Sequence, residues 1–204
     1  MIDRLSEIVG ATVPRETFEK LTAYVALLTE SAQTQNLVSP TTLATIWERH
    51  IIDSAQLLRI GGVDGSWVDI GSGAGLPGLV LAIASPDPVT LVEPRRLRAE
   101  FLQSVIDRLA LPNASVVQGK ASVVSAKFDK VTARAVAPTS DLFGLCHHLS
   151  HRDTVWVLPK GRTAQKELDE ARATWQGEFR LEPSRTDAQA SILVATGVRR
   201  RRAR

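Results

Sequence analysis

The chain has 204 residues, 44% of them apolar and 23% charged, which fits one globular domain with a sizeable core. No apolar run approaches the roughly 20 residues of a membrane-spanning helix, MIDRLSEIVG lacks a signal-peptide pattern, and the single cysteine, Cys146, excludes an internal disulfide framework. Membrane and disulfide-stapled secreted proteins are set aside, and a cytoplasmic location is expected. Lys and Arg number 25 against 22 Asp and Glu, but five arginines crowd the last seven residues, VRRRRAR, so the body is near neutral. Such a tail suits a polyanion, and equally a solvated end.

In chain order, Phe18, Leu21, Val25 and Leu28 recur at helical spacing after Pro14. A second helix is predicted to start at Ser39-Pro40, with an apolar stripe through Leu43, Ile46, Trp47, Ile51, Leu57 and Leu58. Residues 1–60 thus read as a helical extension. After Gly61-Gly62 the rhythm changes. Strands are predicted at 67–70, 89–92, 115–117, 130–134 and 154–158, and helices at 77–84, 95–110, 138–149 and 163–175. Two further strands, near 178–183 and 191–196, follow each other directly and predict a terminal hairpin. The alternation gives an α/β, doubly wound, mostly parallel seven-stranded sheet over 61–198, with 199–204 as a basic tail.

The first strand runs straight into VDIGSGAGLPG, residues 68–78. In a doubly wound sheet, ligands bind beyond the C-terminal strand ends, and bare glycine backbone lets them approach closely. Residues 73–78, GAGLPG, match the dinucleotide pattern G-x-G-x-x-G. The register also reads Asp69-x-Gly71-x-Gly73-x-Gly75, which resembles the S-adenosylmethionine (SAM) loop of class I methyltransferases. Glu93 ends the next apolar run, where a carboxylate can accept both ribose hydroxyls. NAD and SAM sites share that feature, so both stay open at this point. No Gly-Lys-Ser/Thr follows the loop, which disfavours a nucleotide triphosphatase.

Six stretches together resemble one family: RHIIDS (49–54), DIGSGAGLPG (69–78), VEPRRLRAEFL (92–102), VVQGKAS (116–122), TARAVAP (132–138) and LPKG (158–161). Their order and spacing are those of the bacterial small-subunit rRNA guanine-N7 methyltransferases, the RsmG or GidB family. The resemblance implies a class I SAM-dependent, Rossmann-like fold with an N-terminal helical extension. It implies methyl transfer from SAM to N7 of a guanine in 16S rRNA, position 527 in the family's numbering. It also implies 16S rRNA or the small ribosomal subunit as partner; no metal is expected, and a monomer is the default where the sequence is silent on oligomeric state. Carried over by motif, Gly71 and Leu76 contact SAM, Ala121 and Ser122 lie by the adenine, and Arg134 sits at the methionine end or the active-site mouth; Asp69, Gly73 and Glu93 complete the expected cofactor set. The chain departs from the family in two places. Ser31 to Gln35 replace a Trp-Asn-Lys-like segment, and Ser122 stands where Glu is frequent, so a carboxylate contact to adenine is lost there.

Guanine N7 carries an exposed lone pair, so alignment with the methyl donor and exclusion of water can carry the reaction without a general base. No catalytic acid or base is therefore assigned. RNA bases are read when unstacked, with cations on the backbone. Arg49, Lys160, Arg162, Arg199 and Arg200, with Arg201 and Arg202 beyond, are candidate phosphate contacts. Arg95, Arg96 and Arg98 read more simply as a solvated helix face.

His50, Asp53 and Ser54 have the residue types of a hydrolase triad but lie within five residues on one helix, a poor relay. They read as structural, with Arg49 or His50 able to face a cleft. Cys146-His147-His148-Leu149-Ser150-His151 lacks a second cluster to complete a metal site. The rivals are a SAM-dependent methyltransferase on another RNA or a small molecule, and an NAD-dependent oxidoreductase. The latter would want a Tyr-Lys pair, and the only tyrosine, Tyr24, lies in the extension.

Overall fold

The computed structural model describes residues 1–33, 35, 37, 38, 44–62 and 64–201. The predicted helix start at Ser39-Pro40, with Leu43, lies outside them, as does Arg202.

The extension comprises α1 (Ile2–Val9), α2 (Arg15–Ser31), a π-helical turn (Trp47–Ile52) and, directly after it, α3 (Asp53–Gly61). α1 buries Leu5 and Ile8 and ends on Gly10 at φ +81°, whose N–H returns to the Ser6 carbonyl. On α2 the buried residues are Leu21, Tyr24 and Leu28, one helical stripe. Phe18, expected on that stripe, instead stacks on Trp47 with centroids 5.4 Å apart.

The remainder alternates: β1 (Trp67–Ile70), α4 (Gly78–Ala84), β2 (Val89–Glu93), α5 (Arg96–Leu109), β3 (Ala114–Gln118), β4 (Phe128–Ala133), α6 (Thr139–Cys146), β5 (Ser150–Lys160), α7 (Ala164–Thr174), β6 (Trp175–Pro183) and β7 (Ser191–Arg200). The seven strands form one sheet in the order β3-β2-β1-β4-β5-β7-β6. β1 to β5 are parallel, and β7 runs antiparallel between β5 and β6, as the predicted hairpin requires. The chain winds outward from β1 through β2 to β3, then crosses to β4. The switch point therefore lies above the C-terminal ends of β1 and β4.

Alternation along the strands divides the core. Trp67, Leu91, Val157 and Val194 face the extension, α4 and α5, where Leu5, Leu21, Leu28 and Leu57 meet them. Val68, Ile70, Val131 and Trp156 face α6 and α7, with Phe143 and Leu168. The extension is thus one layer of a three-layer core. Within it, Lys130 Nζ is buried 3.3 Å from Asp87 Oδ2, donates to the Gly62 carbonyl at 2.9 Å, and stands 5.2 Å from the centre of the Trp67 ring.

Candidate active site

β1 delivers Asp69 to the switch point, and the chain turns over it through Gly71 and Gly73 at φ +68° and +58°. Glycine adopts this left-handed region at little cost. Gly71 is also crowded: a Cβ there would stand 2.7 Å from Val136 Cγ2.

The loop turns its amides inward. Gly71 and Ser72 both donate to the Val92 carbonyl, at 2.8 and 3.1 Å. Gly73 N–H donates to Glu93 Oε2 at 2.8 Å. Gly75 and Leu76 donate to the Ser72 carbonyl. Gly78 N–H, the first amide of α4, donates to Asp69 Oδ2 at 3.0 Å, and Pro77 before it has no N–H. A helix start that would cradle a pyrophosphate is therefore already filled by a carboxylate.

Asp69 is 1% exposed, and its Oδ1 has no partner among the described residues. Burial pushes its carboxyl up to about 7, against the lowering effect of its hydrogen bonds and of Arg134. Thr132, its register partner on β4, likewise has a buried, unpartnered Oγ1. A donor or a cation at the strand ends would satisfy these atoms.

Glu93 ends β2, and its carboxylate holds two backbone amides, Gly73 on Oε2 and Arg95 on Oε1, each at 2.8 Å. Each oxygen keeps a second lone pair. Its carbonyl accepts Gly119 N–H at 3.0 Å, which brings the end of β3 alongside. Ala121 and Ser122 follow on a 3₁₀ turn (Ala121–Val123), where Ser122 and Val123 are exposed. Leu76 is 5% exposed and packs into the core, so its backbone alone can serve a ligand.

Arg134 leaves the end of β4. Its Nη1 lies 2.9 Å from His50 Nδ1 and 3.9 Å from Asp53 Oδ2. Beside it opens a cleft of about 960 Å³. Five segments wall the cleft: the π turn with the start of α3, the loop 134–138, residues 159–162 at the end of β5, Glu167 of α7, and residues 184–192 from the β6–β7 connection into β7. The structure thus joins Arg49, Arg134, Lys160 and Arg162, four residues singled out from the sequence.

They are not equivalent. Arg49 and Arg162 are exposed. Lys160 is 8% exposed and paired with Glu167 Oε2 at 2.8 Å. Glu167 also accepts Thr139 N–H and Oγ1, each at 3.1 Å, and Thr163 Oγ1 at 2.9 Å. Partial burial works to raise the Glu167 carboxyl, but Lys160 and the threonines outweigh it and hold it below its ordinary value. Lys160 therefore ties loop 159–162 to the start of α6.

Arg199 and Arg200 are strand residues, paired with Gln176 and Trp175. Ser191, at the other end of β7, pairs with Lys160. The two arginines therefore stand at the opposite end of β7 from the cleft. His50 bonds Arg134, while the buried Ser54 Oγ has no partner among the described residues, so no triad forms there. His147, His148 and His151 go separately to the Val198 carbonyl, the Ala121 carbonyl and Asp129. Among the described residues no group of three or more His, Cys, Asp or Glu could hold a metal.

Several residues of the site escaped the sequence reading. Gln56, 2% exposed, donates to Asp53 Oδ1 at 2.7 Å and accepts Arg185 N–H at 2.9 Å; Thr186 Oγ1 also donates to Asp53 Oδ1. Glu167 and Tyr24 were missed as well, and only the buried polar character of Gln56 within an apolar helix gave a local signal.

Residues 17–188 match the family model described as rRNA small subunit methyltransferase G. The chain is 44% identical over 195 residues to Ribosomal RNA small subunit methyltransferase G of Zymomonas mobilis, covering 91% of this chain and 88% of that one. It is 40% identical over 202 residues to the protein of that name from Methylobacterium radiotolerans, covering 96% and 95%. Among solved structures it resembles a variant of MtNAS in complex with S-adenosylmethionine, at TM-score 0.60 and 21% identity over 87% of this chain and 74% of that one. It also resembles a SAM dependent methyltransferase from Aquifex aeolicus, at TM-score 0.61 and 11% identity over 81% and 97%; at these identities the likeness concerns the fold. By sequence, over most of its length, the chain belongs to the rRNA small subunit methyltransferase G family.

Proposed function

We propose that this chain transfers the methyl group of SAM to N7 of a guanine in 16S rRNA, the position numbered 527. One structural observation carries the cofactor half: Asp69 caps the first amide of α4. The loop then offers no anion hole to a dinucleotide pyrophosphate, and it suits a ligand that brings a positive charge instead. Bound SAM supplies an electrophilic methyl on a sulfonium. Asp69 and Thr132 offer unpartnered polar atoms below the loop, Glu93 offers lone pairs to ribose hydroxyls, and the turn 121–123 offers backbone to an adenine edge.

The adjoining cleft suits an unstacked base on an RNA strand. Arg49 and Arg162 at its rim suit phosphates, and Arg134 stands where cofactor loop and cleft meet. The residues of the cleft align the guanine and exclude water, and no proton need be removed from N7. One chain holds both subsites, so a monomer suffices. No helix among the described residues is long and apolar enough to cross a membrane, and an rRNA substrate fits the cytoplasm.

The test is methyl transfer from labelled SAM to small ribosomal subunits lacking the modification, with the methylated nucleoside identified and mapped. N7-methylguanosine at the expected site, abolished by Gly71→Arg, supports the reading. A chain that binds SAM but leaves that guanosine unmodified refutes the substrate assignment.

A further inference from the structure

We propose that His50 is a positioning residue whose neutral imidazole accepts a hydrogen bond from Arg134 through Nδ1 and fixes the guanidinium where the cofactor loop meets the cleft. The inference rests on the function proposed above only for what Arg134 then serves. The pair itself is a matter of geometry.

Arg134 has two neighbours in the extension, and distance separates their roles. His50 Nδ1, at 2.9 Å from Nη1, is within hydrogen-bond range. Asp53 Oδ2, at 3.9 Å, is beyond it and contributes charge alone. Asp53 is in any case held elsewhere, since Gln56 and Thr186 both donate to its Oδ1. Burial raises the Asp53 carboxyl, against the lowering effect of Thr186, Arg134 and Gln56. The imidazole is thus what sets the direction of the guanidinium.

A guanidinium only donates, so Nδ1 must carry a lone pair and the proton must reside on Nε2. Nε2 is buried without a partner among the described residues. That unpaired N–H costs stability, and a residue serving only to fill space would not require it. The charged groups around the ring agree with a neutral form. Arg134 from the β4 loop and Arg49 from the π turn oppose protonation, and Asp53 on α3 faces Arg134 at 3.9 Å. Burial, Arg134 and Arg49 together push His50 down to about 4.

The backbone supplies an independent observation. His50 lies on the π-helical turn Trp47–Ile52, and such turns are rare and concentrate at functional sites. Here the turn puts Glu48, Arg49 and His50 on the cleft wall while Ile51 and Ile52 stay buried.

The experiment combines imidazole ¹⁵N NMR on the intact protein with two substitutions. In the wild type, the His50 ring should show the Nε2–H tautomer and stay neutral down to pH 5. In Arg134→Gln its titration should move up toward that of a free histidine. His50→Asn, which keeps an acceptor near Nδ1, should hold SAM affinity and methyl transfer close to wild type, whereas His50→Leu should lose about 30-fold in kcat/KM. A ring protonated on Nδ1, a titration near pH 6.5 in the wild type, or equal losses in the Asn and Leu variants would overturn the proposal. A wild type with the expected ring signals that methylates no rRNA sinks the substrate reading and leaves the pair standing.

Discussion

The hydroxyl of Tyr24 donates to the carbonyl of Ala74 at 2.7 Å, across 50 residues of sequence and from helix α2 to the crown of the glycine loop. Tyr24 is fully buried, and burial raises its hydroxyl well above the ordinary tyrosine range, so it remains a donor at every working pH. The loop is thus braced by the extension as well as by its own strand. Tyr24→Phe keeps the packing and orphans a buried carbonyl, at a cost of about 1–2 kcal/mol. We expect SAM affinity to fall by about fivefold to tenfold, with Tm lowered by a few degrees. Calorimetric titration checks this, and an unchanged Kd for SAM would show that the brace does not reach the ligand.

Asp69 makes the free protein pH-sensitive. Its folded-state carboxyl lies near 7, above the ordinary value of 3.8. The folded state therefore binds the proton more tightly than the unfolded one. The stability this brings is full below about pH 4 and is lost as pH rises through 7. Asp69→Asn removes the dependence. Relative to wild type it should gain about 2 kcal/mol, or 4–8 °C in Tm, between pH 5 and pH 8. SAM binding should show the reverse trend, tightening with pH in the wild type because an ionised Asp69 faces a cation, and staying flat in the variant. Parallel melting curves at the two pH values would count against the assignment.

Gly71 combines a left-handed φ with a close neighbour. Gly71→Ala places a methyl 2.7 Å from Val136 Cγ2 and adds about 1–2 kcal/mol of backbone strain. Val136 is 41% exposed and can swing out, so the chain should fold while the mouth of the site deforms. Loss of SAM binding, partly regained on adding Val136→Ala, is the expected pattern. If the second substitution restores nothing, strain at φ accounts for the whole effect.

The cations of the cleft divide into two kinds, and salt dependence tells them apart. Arg49→Ala and Arg162→Ala should each reduce the slope of log affinity for RNA against log salt by about one, at nearly unchanged Tm. Lys160→Met should leave the slope alone and destabilise the fold by about 1–2 kcal/mol, because it leaves the partly buried Glu167 carboxylate with only its threonine donors. A shallower slope at normal stability in Lys160→Met would return that lysine to the RNA.

The strand, turn and helix around the glycine loop were legible because their signals are local. Three apolar residues around Asp69, a burst of glycine and a proline specify 67–84 without help from the rest of the chain. What GAGLPG binds was less legible, since the same letters serve two ligands. The contact that separates them, Asp69 to Gly78, becomes informative only once the turn is folded. Lys160 and the terminal arginines show the limit of reading charge. A lysine after a strand looks like a phosphate ligand until Glu167 is found beside it. Arg199 and Arg200 look like a tail until pairing with β6 fixes them at the end of β7 away from the cleft. Gln56, Asp53 and Thr186 were invisible as a group, because more than a hundred residues separate the hairpin from α3. The π turn was read as ordinary helix, since apolar spacing does not register one added residue.

The far wall of the cleft, residues 184–192, is carried by the connection between β6 and β7 and the start of β7. Every strand that shapes the glycine loop precedes it, and the loop's brace on α2 precedes them all. The glycine loop can therefore take shape from the chain before β6, whereas the cleft stays open on one side until the β6–β7 connection docks on Gln56 and Asp53.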